Sequence, residues 1–104
     1  MLYQQGDVLI LKIDEIPKET TKRKREGGKL ILARGEATGH HHFIQQPDAE
    51  LFEGSDQQIF LHCTVQVEVE HQEHQPITLP IGDYQIIPVQ EYDHFKEEAS
   101  GVVD

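Results

Sequence analysis

Leu61-His62-Cys63-Thr64-Val65-Gln66-Val67-Glu68-Val69-Glu70 decides the fold class. Leu61, Cys63, Val65, Val67 and Val69 fall on one face of an extended chain, and His62, Thr64, Gln66, Glu68 and Glu70 fall on the other. Successive side chains of a strand point to opposite sides. The alternation therefore predicts a strand with one face on a core and the other on water or a cavity.

The rest of the chain repeats the theme in shorter pieces. Downstream, His71 to Pro76 reads as a polar turn and Ile77-Thr78-Leu79 as a strand. After the turn Pro80-Ile81-Gly82-Asp83, a last strand runs from Tyr84 to Tyr92, followed by a short helical turn over Phe95 to Ala99. Upstream, strands are predicted at Glu50–Glu53, at His40–Ile44 behind the glycine-bracketed bend Gly35–Gly39, and at Lys29–Arg34. Residues 5–13 form the first strand. Val8-Leu9-Ile10-Leu11 is apolar on both faces, which suits a central position. The glycine pair Gly27-Gly28 closes the connection after it, so residues 3–34 read as a long N-terminal hairpin with a charged tip. Seven or eight short strands between turn signals predict an all-β fold, a small β-barrel or sandwich. At 104 residues the chain predicts a single domain, 1–104.

Composition narrows the function. The lone cysteine, Cys63, precludes an internal disulfide, suits a reducing compartment, and reads as a small buried apolar residue. No stretch has the length of a membrane span or a secretory leader, which predicts a cytoplasmic protein without membrane contact. The net charge of −10 is unevenly spread. Residues 1–35 carry eight basic side chains against five acidic ones, and residues 36–104 carry only Lys96 against fourteen. An acidic body disfavours nucleic acid. The run Lys22-Arg23-Lys24-Arg25 is the local exception. It is either a solvated loop or a docking point for an acidic protein partner.

Histidine carries the chemistry. The chain holds seven, five of them in His40-His41-His42 and His71-Gln72-Glu73-His74. On a strand His40 and His42 project to the same side, where two imidazoles reach one ion. His71 and His74, in a turn, can converge on them. The candidate metal ligands are therefore His40, His42, His71 and His74, and the candidate ions are zinc, iron, manganese or nickel. Glu36 and Glu73 are placed to support them, with His62 and Gln85 as further pocket residues. The competing reading gives these histidines a structural role or idle exposure.

Two stretches resemble the cupins. Gly35 to His42 is similar to the first cupin motif, a glycine and spacer followed by HxH. Leu79 to Gln85 is similar to the second, built on PxG. The resemblance implies a jelly-roll barrel holding a metal through HxH, a glutamate and a second-motif histidine. The chain departs from it: Gln46 and Pro47 stand where the glutamate belongs, and Gln85 where the second-motif histidine belongs. A closer resemblance is to a group of small bacterial proteins that share an opening like Gln5-Gly6-Asp7-Val8-Leu9, a GE-x-TGHxH segment and an HxEHxPIxLPxGxY segment. It implies that both histidine segments serve one design, and it brings no activity.

Two functions compete on this basis. One is a divalent-metal-binding β-barrel with a histidine-lined pocket for a small molecule, catalytic if the metal keeps an open position. The other is a non-enzymatic accessory or interaction module whose histidines are structural or sense pH. A homodimer is expected on class grounds, because small sheets often cover their edges by pairing.

Overall fold

The computed structural model describes residues 1–34 and 39–89. Glu36, the end of the last predicted strand and the helical turn after it lie outside the described residues. Among the described residues the elements are ten strands and a 3-10 turn at Ser55–Gln57. No helix among the described residues is long and apolar enough to cross a membrane.

Six strands form one antiparallel sheet. They are β1 (Leu2–Gln5), β2 (Val8–Ile13), β3 (Thr21–Arg23), β6 (Ala49–Glu53), β7 (Ile59–Cys63) and β10 (Gly82–Pro88), in the order β1-β2-β10-β7-β6-β3. The facing layer holds two hairpins: β4 (Leu30–Arg34) with β5 (His41–Ile44), and β8 (Val67–Val69) with β9 (Ile77–Leu79). A two-bond bridge between Phe43 and Glu70 joins the hairpins. The sheets do not close into a barrel, so of the two all-β architectures expected, the sandwich describes the molecule.

The core is what alternation dictates. Val8 and Ile10 of β2, Leu51 of β6, Leu61 and Cys63 of β7, and Tyr84 and Ile86 of β10 face inward. They meet Leu30, Leu32, Ile44, Val67, Val69 and Leu79 of the other layer. Burying such side chains contributes roughly 1.5–3 kcal/mol each before chain entropy is counted. Cys63 is sealed in this layer as expected, and burial pushes its thiol up to about 12.

The decisive stretch holds a bend. Its alternation is unbroken, but the strand is not. β7 ends at Cys63, the chain turns through Thr64-Val65-Gln66, and β8 begins in the opposite sheet. Val65, in phase with the core, is 39% exposed because it sits at the corner. The Thr64 backbone and hydroxyl both donate to the Asp48 carbonyl, at 3.2 and 2.9 Å, and pin the crossing. A strand that changes sheets keeps its inward face inward, so periodicity does not report the change.

The long N-terminal hairpin is corrected. β2 pairs with β1 and β10, and β4 pairs with β5. The chain reverses instead at Gly6-Asp7, where Gln5 opposes Val8 across a two-residue turn. Gly6 has φ +59°, as the first central position of a type II′ turn requires. The loop reading of the basic run is corrected at its first two residues: Thr21–Arg23 is an edge strand against β6, with Lys22 paired to Glu50 at 2.7 Å and Arg23 to Glu53 at 3.3 Å, while Lys24 and Arg25 lie outside it. β2 is central as expected, with Val8, Leu9 and Ile10 all buried.

Candidate metal centre

At one end of the sandwich four imidazoles gather. β5 delivers His42, the residue before β5 delivers His40, and the β8–β9 connection delivers His71 and His74. The His71 ring centroid lies 4.4 Å from that of His42, 4.6 Å from His74 and 5.7 Å from His40. His42 and His74 are nearly parallel at 6.4 Å. All four histidines proposed as ligands from the sequence therefore belong to one cluster. Glu73 joins it, with its carboxylate 3.5 Å from His40 Nδ1.

His42 is the centre of this cluster and is fully buried. The residue that orients it is Gln5, which sequence reading did not single out. The Gln5 amide donates to the carbonyls of Val69 at 3.0 Å and Gln75 at 2.8 Å. Both N–H groups are then committed, so Gln5 Oε1 must accept, and it stands 2.7 Å from His42 Nδ1. His42 thus carries its proton on Nδ1. In the neutral ring Nε2 is a lone pair, and it faces the Asp7 carboxylate at 3.1 Å. Two acceptors in contact need a proton or a cation between them. Burial pushes the His42 imidazole below its ordinary range, more than the Asp7 hydrogen bond and charge lift it.

The other rings differ. His71 Nδ1 accepts the backbone N–H of Glu73 at 3.0 Å, so its proton sits on Nε2, the wrong tautomer for Nε2 ligation in this orientation. Desolvation and then the neighbouring histidines hold the His71 imidazole low. His74 lies over Gly6. A Cβ at that glycine would stand 2.5 Å from His74 Nε2, so a larger residue would push the exposed His74 ring aside, while the positive φ is what calls for glycine. Asp7, the next residue, brings its carboxylate to the same end of the molecule.

Among the described residues, no group of three or more His, Cys, Asp or Glu is arranged to hold a metal ion as it stands. The rings pack on one another instead. His74 is exposed and His71 half-buried, so both have room to turn, whereas His42 is fixed by Gln5.

Two predicted pocket residues do not join the cluster. His62 and Gln85 alternate with core residues and project from the outer face of the six-stranded sheet. His62 bonds Asp83 through Nδ1 at 2.6 Å, beside Glu50, and Gln85 lies between Leu11 and Phe60. Nor do the histidines line the cleft that Asp7 enters. This cleft of about 530 Å³ runs from Asp7 over Ile31, Ile59 and Ile86 to Arg23 and Arg34. Asp7 is the member of the centre that touches both.

Asp7 and Gln5 are the functional candidates that sequence reading missed. The signal was the opening Gln5-Gly6-Asp7-Val8-Leu9, which carries two polar side chains around a glycine of positive φ.

A sequence model of a protein family described as a domain of unknown function (DUF8820) matches residues 4–88. The matched span runs from Gln4, within β1, to the end of β10. No curated protein and no solved structure matches the chain.

Proposed function

We propose, for a chain that belongs to the DUF8820 family and takes no activity from it, that the cluster is a divalent-metal site. Its ligands are His42 Nε2, the Asp7 carboxylate and His74, with His40 or a turned His71 completing it. The observation that carries this reading is the His42–Asp7 contact. Gln5 fixes the His42 proton on Nδ1, leaving a lone pair 3.1 Å from a carboxylate oxygen in a site whose burial disfavours a second proton. Ligands at 2.0–2.2 Å on adjacent positions of one ion stand about 3 Å apart, so a cation relieves the contact without moving either atom far.

Two imidazoles and one carboxylate suit zinc or ferrous iron before manganese or nickel. Gln5 plays the part of an outer partner that sets tautomer and ring angle. His74, exposed and stacked 6.4 Å from His42, would have to turn inward to reach a shared ion. The cleft beyond Asp7 is large enough for a small molecule and reaches the metal through that residue. A bound ion with an open position would polarise a carbonyl or activate a water there.

Metal content of tag-free protein, by elemental mass spectrometry after incubation with zinc, ferrous iron, manganese or nickel and desalting, tests the reading. Wild type retains about one ion per chain, and His42→Gln and Asp7→Asn retain little while keeping their β-sheet circular dichroism. Absence of metal from wild type under all four conditions, or full retention in the folded double variant, overturns it and leaves a structural histidine stack.

A further inference from the structure

The basic run that the metal site leaves unused lines a second cavity. About 490 Å³ of space is lined by the four basic residues 22–25, by Leu30, Pro47 and Ala49, and by one acid, Glu50. We infer that it binds a small amphipathic anion, a phosphate or carboxylate carried on an apolar group.

The argument rests on which charges are already neutralised. Lys22 is taken by Glu50 and Arg23 by Glu53. Arg25 has no carboxylate among the described residues. Its guanidinium donates to three carbonyls, those of Gly28 at 3.2 Å, Gln46 at 2.6 Å and Ala49 at 3.0 Å. These bonds tie the guanidinium to the backbone, with Ala49 itself lining the cavity, and leave two of the five N–H donors without an acceptor and the charge without a carboxylate among the described residues. Lys24 is exposed and has no ion pair among the described residues. Two uncompensated cations thus share one concavity in a chain of net charge −10.

The walls set the rest of the ligand. Leu30 and Ala49 are buried core residues, and with Pro47 they give the cavity an apolar side. Glu50, the acidic residue of the lining, is engaged by Lys22 at 2.7 Å. A cavity of this volume matches a small molecule. An extended acidic peptide would need a row of free cations along an open surface, and two of the four here are already paired within the sheet. The inference is independent of the metal site and is tested with chelator present.

Amide chemical shifts of the full chain, titrated with phenyl phosphate, inorganic phosphate, benzyl alcohol and an octaglutamate peptide, test it. Phenyl phosphate is expected to shift residues 22–25, 30 and 47–49, with a dissociation constant at least about tenfold tighter than either fragment. Lys24→Glu weakens it about tenfold, Lys24→Gln weakens it less, and Lys18→Glu leaves it unchanged. Raising ionic strength from about 0.05 M to about 0.5 M weakens it several-fold. Shifts elsewhere, equal affinity for inorganic phosphate, or unchanged affinity in Lys24→Glu overturns the inference. Binding of octaglutamate without phenyl phosphate also overturns it and identifies the run as a protein-docking surface.

Discussion

Two histidine–aspartate pairs in this molecule share a composition and differ in almost everything else. His62 meets Asp83 through Nδ1 at 2.6 Å on the outer face of the sheet, where its side chain is 41% exposed. His42 meets Asp7 through Nε2 at 3.1 Å, and its side chain is 2% exposed. The outer pair has one nitrogen committed, and its other nitrogen has no partner among the described residues. The inner pair has both committed, because Gln5 occupies Nδ1. Water can hydrate the outer imidazole in either protonation state. The inner one has a fixed tautomer and a lone pair aimed at a carboxylate. The difference teaches that the second partner of a histidine, more than the aspartate itself, decides whether the pair is an ordinary surface contact or a site.

Replacing each histidine by alanine tests this most severely. His42→Ala leaves Gln5 Oε1 without its donor and opens a cavity, and should cost about 2–4 kcal/mol in urea unfolding. His62→Ala loses a half-exposed pair and should cost at most about 1 kcal/mol. Equal losses would break the comparison. Gly6→Ala comes next. It forces a positive φ on alanine and displaces His74, so a loss of about 1–3 kcal/mol is expected, with reduced metal retention.

A smaller effect follows from protonation. His42 and His71 both have lowered pKa values when folded, so below the ordinary imidazole range, about 6.5, the unfolded chain binds protons that the folded chain does not. Stability of the metal-free protein should therefore be fully present above about pH 6.5 and decline as pH falls below it. His42→Gln should flatten that decline in urea melts across pH 5 to 8. An undiminished slope would assign it to other groups. The smallest change is Asp83→Asn, which should leave metal content unaltered and shift the melting midpoint only slightly.

Much of this was legible in the sequence, and what was not has a physical reason. The strands at 30–34, 41–44, 49–53 and 77–79 follow from local pattern, because periodicity records which face is buried. Pairing is not local. Val8 to Ile13 and Leu30 to Arg34 look like hairpin partners from their composition, yet β2 pairs with β10, from Ile13 with Asp83 to Val8 with Pro88. The corner at Thr64–Gln66 was invisible because a strand changing sheets keeps its phase. The histidine cluster was legible because rare side chains at HxH and HxxH spacing stand out. Gln5 and Asp7 were not, since a glutamine and an aspartate around a glycine look like ordinary turn chemistry until His42, 37 residues on from Gln5, arrives beside them.

The pairing of β2 with β10 has a consequence for synthesis. When a ribosome has released only the first seventy residues, β2 has β1 on one side and a row of open backbone groups on the other, and β7 likewise lacks its partner. Both gaps are filled by the one strand at 82–88, and the Val89 amide then closes on the Asp7 carbonyl at 2.8 Å. Assembly of the larger sheet therefore waits for nearly the whole described chain. Such sequence-distant closure is slow and leaves an adhesive edge in the interval.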